Sequence, residues 1–457
     1  MLATRVRTRA GDMRLQKLAK TFHGQIVAPG NPLYNMLRVP FNTDFAAVRP
    51  LAVVRPVDAA DVARVVKWAA HEGVHVVARS GGHSYGGYST TTGVVVDLAH
   101  LSGITVTSGR ATIGPGARLG NVYATLDAHG VAIPAGTCPS VGIGGHTLGG
   151  GFGLASRAWG LACDNVVSLQ IVTADGALLT ADATHHSDLF WACRGGGGGN
   201  FGIVTRLVFR THPVSTGSYF VATWPWSQVD QAVTSFLAWA PTRPDVLGSI
   251  CRLAAGPGGP TVQIFGQYLG SQSALSAQLA SLTPAASHLS VAPAVWLDLV
   301  RRWAGCLGHN LPSCAAPVNQ PFYGSSSYLA EVPSAQLVHR FGAAVSARGA
   351  NSGALLIDAY GGAVNRVAST ATAFPHRKAL ASVQYFAAGS DPSAKTWVES
   401  ARATLAPAMN GEAYVNYCDP ALPNFLHAYY GANLARLRQV KHTYDPHNLF
   451  HFPQSIT

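Results

Sequence analysis

The chain is poor in charge: only 12% of its 457 residues are Asp, Glu, Lys or Arg, against about a quarter in ordinary soluble domains. Acidic residues are scarcer still, 21 against 32 Lys and Arg, giving a formal net charge of +11. The cations are scattered, and their only local excess is Arg5, Arg7, Arg9, Arg14, Lys17 and Lys20. That cluster reads as a solvated basic N-terminal tail, so no nucleic-acid partner is expected. Long apolar runs are missing too. Stretches such as Gly93 to Leu98 suit buried strands and fall short of a membrane span. The opening Met1-Leu2-Ala3-Thr4-Arg5-Val6-Arg7 has no apolar segment of the secretory kind, and no Asn-x-Ser/Thr site occurs. Both point to a cytoplasmic protein of bacterial origin, with Met13 an alternative start. The seven cysteines are an odd count, which argues against a disulfide framework. Cys306 and Cys314 are near enough in sequence to pair, but reduced thiols are the plainer expectation.

What is present is apolar residues (48%) and 49 glycines, in a length that suits two or three domains. Asp58 can cap a helix over 59–72, where Val62, Val65, Val66 and Ala69 recur at helical spacing and Gly73 stops it. Strands are expected at 74–78, 94–98 and 111–115, a helix at 121–129, and a hairpin of 166–173 with 177–180 about Asp175-Gly176. The glycine run Gly195 to Asn200 leads into an alternating strand at 202–209. Beyond Pro213 the texture changes. Strands at 218–223, 261–269, 354–360, 382–387 and 412–417 alternate with helices at 228–240, 274–282, 335–347 and 394–409, as in a domain built on a largely antiparallel sheet. A last helix, 433–441, is stopped at Tyr444-Asp445-Pro446.

Two glycine-dense stretches carry nucleophiles. His83 lies in Arg79-Ser80-Gly81-Gly82-His83-Ser84, and Cys138 in Gly136-Thr137-Cys138-Pro139-Ser140-Val141-Gly142-Ile143-Gly144-Gly145-His146. Imidazole and thiolate are the groups that most readily bond to an electrophilic cofactor, and glycine lets a backbone approach a flat ligand closely. Singly, His83 reads as a turn histidine and Cys138 as a buried thiol; together they read as two anchors for a flavin. Backbone N–H groups of such loops can cradle a pyrophosphate. Other patterns carry no chemistry. His71-Glu72-Gly73-Val74-His75 spells a zinc-protease motif, but a glycine breaks the helix that motif needs, so no metal is expected. Gly197, Gly199 and Gly202 spell a dinucleotide fingerprint that opens a strand instead of a helix. His185-His186 reads as a surface pair.

The order of these motifs resembles the berberine-bridge-enzyme-like oxidases, which have the vanillyl-alcohol oxidase (PCMH-type) flavoprotein fold. The resemblance rests on the His83 loop, the Cys138 loop continued through Gly149-Gly150-Gly151 and Gly153, and Gly195 to Thr205. It extends through Tyr414-Val415-Asn416-Tyr417-Cys418-Asp419, Tyr430-Gly431-Ala432-Asn433, Leu437-x-x-Val440-Lys441, Tyr444-Asp445-Pro446 and Gln454-Ser455-Ile456. It runs from about Pro32 to Ile456 and is weakest over 224–328. It implies an α+β protein of two domains. Residues 1–212 would bind FAD through α/β subdomains. Residues 213–423 would bind substrate on a large antiparallel sheet covered by helices, and 424–457 would return to the first domain. It also implies FAD bonded twice, by His83 at the 8α carbon and by Cys138 at C6. Arg79, Ser80, Gly81, Gly82, Ser84, Gly87, Val141, Gly142, Gly144, Gly145, His146, Gly149, Gly153, Gly202, Ile203, Val204, Asn416 and Tyr417 would complete the cofactor site.

The activity so implied is oxidation of a small-molecule alcohol. A base takes the hydroxyl proton, hydride passes to flavin N5, and O2 takes the electrons as hydrogen peroxide. The base is Tyr417 or Tyr414; in a strand the two would face opposite sides, and Tyr417 is preferred. Asp358 matches the aspartate that partners this tyrosine in sugar-oxidising relatives, where it would accept the phenol proton; a cap or turn role is the alternative. Val141 would leave room for O2, or simply pack. Arg377 reads as structural. Trp296, Trp303, Phe322, Tyr323 and Tyr360 could stack on sugar rings. A sugar hemiacetal is the favoured substrate. The alternatives are a secondary-metabolite tailoring oxidase, acting on an alcohol or amine or closing a ring, and a flavin carrier without turnover.

Overall fold

The computed structural model describes residues 12–214, 216–316, 318–389 and 392–457. Asp58 accepts a hydrogen bond from Asp61 N–H and starts helix Ala59–Glu72, which Gly73 ends in the left-handed region. Its apolar stripe packs on a four-stranded sheet in the order Gln25–Val27, Ala52–Arg55, Val94–Asp97, Val76–Arg79. The last three strands are parallel. The helix ends at Glu72, so His71 and His75 share no helical face. Arg5, Arg7 and Arg9 lie outside the described residues. From Asp12 onward the basic stretch is not a solvated tail. Helix Met13–Ala19 buries Leu15 and Leu18 in this core, and Lys17 reaches Glu72 at 2.9 Å. The apolar pair three positions apart outweighs the surrounding cations.

A second sheet, wholly antiparallel, runs Ile104–Thr107, Arg110–Ile113, Ile203–Arg210, Val166–Val172, Leu178–Asp182. Its core also takes in Tyr429, Tyr430, Leu437, Val440 and Ile456. Buried Lys441 donates to the carbonyl of Asn200 and pairs with Asp445 at 2.6 Å. The glycine run before Ile203 is thereby clamped by the C-terminal helix Leu434–Tyr444.

The third sheet has seven strands, all antiparallel: His288–Ala294, Gly217–Trp224, Thr261–Tyr268, Leu247–Ala255, Gly353–Ala359, Ala381–Ala388, Phe322–Leu329. Helices Val229–Trp239, Ala335–Ser346 and Pro392–Leu405 cover one face. The other face is held to the glycine-rich region by Arg157. Its buried guanidinium donates to the carbonyls of Leu247, Arg243 and Tyr360, so no donor is buried without a partner there. Three of these strands escape the sequence reading. Leu247–Ala255 is buried on both faces and so shows no alternation. Phe322–Leu329 holds Gly-Ser-Ser-Ser, which carries no strand preference. His288–Ala294, mostly half-exposed, lies at the sheet edge. Two expectations fail outright: Glu412–Tyr417 is not a strand, and Cys306 and Cys314 form a disulfide. No helix among the described residues is long and apolar enough to cross a membrane.

Candidate active site

A cavity of about 470 Å³ opens where the loops after the first sheet, the 136–154 segment, the glycine run, the 414–418 turn and the open face of the large sheet converge. His83 and Cys138 both line it. The His83 ring stacks on Phe41 with centroids 3.7 Å apart, and its Nε2 lies 3.0 Å from Ser140 Oγ. Burial, helped by the charge of Arg118, lowers its pKa to about 3, so the imidazole is neutral and nucleophilic at working pH. A hydrogen bond to the Ser140 backbone works against that lowering. Cys138 Sγ lies 3.5 Å from the same Ser140 oxygen. Cys138 is exposed, whereas Cys163, Cys193, Cys251 and Cys418 are buried. Burial raises the pKa of each of those four, which keeps them as inert thiols.

Every residue expected at the cofactor lines the cavity except Arg79, Gly87 and Gly149. Arg79 is buried and spends its guanidinium on the carbonyls of Ser89, Leu37 and Arg38. Gly87 is a turn residue pressed against the Phe45 ring. Gly149 makes room for Asn416: a Cβ there would lie 2.1 Å from its Oδ1. Asn416 then donates to the carbonyl of His146 and to the Tyr414 oxygen. His146 is half-buried, accepts from Gly136 N–H at Nε2, and has its pKa lowered to about 4 by desolvation.

The walls fit a flat anionic dinucleotide. A Cβ on Gly145 would meet nothing within 4 Å and would stand in the cavity, while one on Gly142 would lie 2.0 Å from Ser80 Oγ. Among the described residues no Lys or Arg lines the cavity. A pyrophosphate there would be met by backbone N–H groups. The residues present therefore suit FAD, with two nucleophiles at one end.

Tyr414 precedes and Tyr417 ends a single 3-10 turn, Val415–Tyr417, instead of lying in a strand. Their side chains consequently meet, centroids 5.0 Å apart, and both line the cavity. Their environments differ. The Tyr414 oxygen accepts from Gly151 N–H and Asn416 Nδ2, each at 2.8 Å. The Tyr417 hydroxyl has no hydrogen-bond partner among the described residues. Its pKa is raised far above the usual phenol range, first by burial and then by the charge of Asp358. Asp358 is buried in strand Gly353–Ala359, lines the cavity, and is no cap or turn residue. Burial alone raises its pKa to about 7.

Sequence reasoning passed over Tyr85 and Gln384. Tyr85 lies two positions after His83 and stacks on Tyr417 at 5.2 Å. Gln384 donates to the Tyr85 hydroxyl. Alternation on strand Ala381–Ala388 could have found Gln384 and Phe386, which share the open face. Of the five aromatics picked for stacking, only Phe322 lines this cavity. Trp296 and Trp303 line a smaller neighbouring one, Tyr323 packs toward the helices, and Tyr360 is buried against Phe152. Arg377 is structural, fixed to Asp164 at 2.6 Å in the interior.

Comparison with known proteins identifies the family. Residues 50–182 match the family described as FAD binding domain, and 413–457 the one described as berberine and berberine like. FAD-linked oxidoreductase YgaK of Bacillus subtilis is 36% identical over 446 residues, 95% of this chain and 96% of its own. A chitooligosaccharide oxidase of Gibberella zeae is 31% identical, over 93% of this chain and 89% of its own. The solved structure of BBE-like 1 from Physcomitrella patens superposes with a TM-score of 0.90 at 32% identity, covering 97% of this chain and 99% of that one.

Proposed function

Since this chain belongs to the berberine-bridge-like FAD-linked oxidoreductases, we propose that it oxidises a sugar hydroxyl, with FAD bonded to His83 and Cys138 and O2 as the electron acceptor. When bound, FAD supplies a two-electron acceptor for hydride and returns the electrons to O2 as hydrogen peroxide. The chain's own residues handle the proton. Tyr417, its hydroxyl open to the cavity, receives the substrate proton as it passes its own to Asp358. A free phenolate is disfavoured at a buried site, so the carboxylate, with its pKa near 7, is the resting place for that proton. Tyr85 and Gln384 present hydrogen-bonding groups beside Tyr417, and Phe322 and Phe386 supply apolar walls. That mixture suits the polar edges and apolar faces of a pyranose. The observation that carries the reading is that Tyr417 and Asp358, whose side-chain oxygens have no hydrogen-bond partner among the described residues, line the same cavity as His83 and Cys138.

Anaerobic mixing with xylo-, cello- and chito-oligosaccharides tests it. At least one should bleach the bound flavin, and admitting O2 should restore the colour with release of peroxide. Bleaching by aromatic alcohols or amines but by no sugar would contradict the substrate class. Val141 lines the same cavity with a short side chain. Val141→Leu is expected to slow reoxidation about tenfold, about 1.4 kcal/mol of barrier, and to leave reduction unchanged. Stopped-flow measurement of the two half-reactions separates these effects.

A further inference from the structure

Ser140 stands between the two nucleophiles. Its Oγ lies 3.0 Å from His83 Nε2 and 3.5 Å from Cys138 Sγ. The backbone that carries it is pinned on both sides. Gly120 N–H donates to the carbonyl of Pro139, and Leu119 N–H to that of Val141, each at 2.9 Å. Ser140 is buried, so little water competes for its hydroxyl. A hydroxyl offers one donor and two acceptor sites, enough to serve an imidazole and a thiol together. We propose that Ser140 is the shared positioning residue for both flavin attachments: it accepts from His83 Nε2–H, leaving Nδ1 free to bond, and holds the Cys138 thiol at the same edge of the ring. This rests on the doubly bonded reading above.

Each attachment replaces an N–H or S–H and a C–H of the flavin by one C–N or C–S bond. The two electrons and two protons released go to O2, the oxidant of the proposed turnover, as hydrogen peroxide. Ser140 is not consumed; it orients the attacking atoms, and losing one such hydrogen bond, worth about 1 kcal/mol, should slow each attachment by about fivefold to tenfold.

The test uses the full chain made in cells held short of riboflavin and then supplied with it. Aliquots are quenched in acid at intervals, and the fraction with covalent flavin is read by intact mass and peptide mapping. Ser140→Ala is made in the wild-type, His83→Ala and Cys138→Ala backgrounds. The proposal expects slower attachment at whichever residue remains, with non-covalent FAD loading unchanged. Ser140→Thr, which keeps the hydroxyl, should attach like wild type, and Ser140→Val, of the same shape, should match Ser140→Ala. The last pair keeps the test decisive should Ser140→Ala fold poorly. Equal rates in the threonine and valine variants would overturn the role of Ser140. Absence of covalent flavin in the wild type would instead overturn the reading beneath it.

Discussion

Tyr417→Phe should slow reduction of the flavin by substrate about 10²–10⁴-fold, the range for loss of a positioned general base. FAD should stay bound, because the Tyr417 hydroxyl makes no hydrogen bond among the described residues and its ring keeps its contacts with Tyr85 and Tyr414. Tyr414→Phe is the informative contrast. It strips an acceptor from Gly151 N–H and Asn416 Nδ2 and leaves buried donors unpaired. The cost should be about 1–3 kcal/mol of stability, with a smaller effect on the chemical step. Anaerobic stopped-flow reduction and thermal melts of both variants distinguish the two roles. Wild-type reduction in Tyr417→Phe would remove Tyr417 from the mechanism.

Asp358→Asn should have two large effects with different pH dependence. In the wild type the carboxyl must be ionised to receive a proton, so flavin reduction should rise with pH through about 7, where Asp358 titrates in the fold. The asparagine variant should be slow at every pH and lack that limb. Stability should move the other way. The carboxyl pKa is raised in the fold from its ordinary 3.8 to about 7, so the folded protein resists ionisation that the unfolded chain accepts freely. Wild-type stability at this site is therefore lost as pH climbs between those values and is level beyond them. The gain from Asp358→Asn should open from about pH 4, reach roughly 4 kcal/mol above pH 7, and stay flat. Melting temperatures from pH 4 to 9 check the sign. A gain that shrinks with rising pH would contradict burial as the cause.

Glycine spacing and local caps made the cofactor end legible in the sequence. Asp58 and Gly73 bracket a helix by backbone chemistry that needs no tertiary knowledge, and His83 and Cys138 stand out as a pair, each in its own glycine-rich turn. The substrate end was harder to read. Tyr414 and Tyr417 fall in an expected strand, 412–417, that does not form. In the fold, Tyr414 N–H is taken by Ser326 Oγ of the large sheet, and the chain turns. Ser140, Tyr85 and Gln384 gain their meaning only from contacts between segments far apart in the chain. The Cys306–Cys314 disulfide was legible as a local pairing, but an odd cysteine count argued the other way.

Whether one FAD is joined to both His83 and Cys138 is read out by peptide mapping of acid-denatured, flavin-loaded protein. A single flavin-bearing species is expected, in which the His83 and Cys138 peptides are cross-linked through the cofactor, with one released peptide in each of the His83→Ala and Cys138→Ala variants. Wild-type polypeptide at its bare mass, with FAD free in the supernatant, would contradict it.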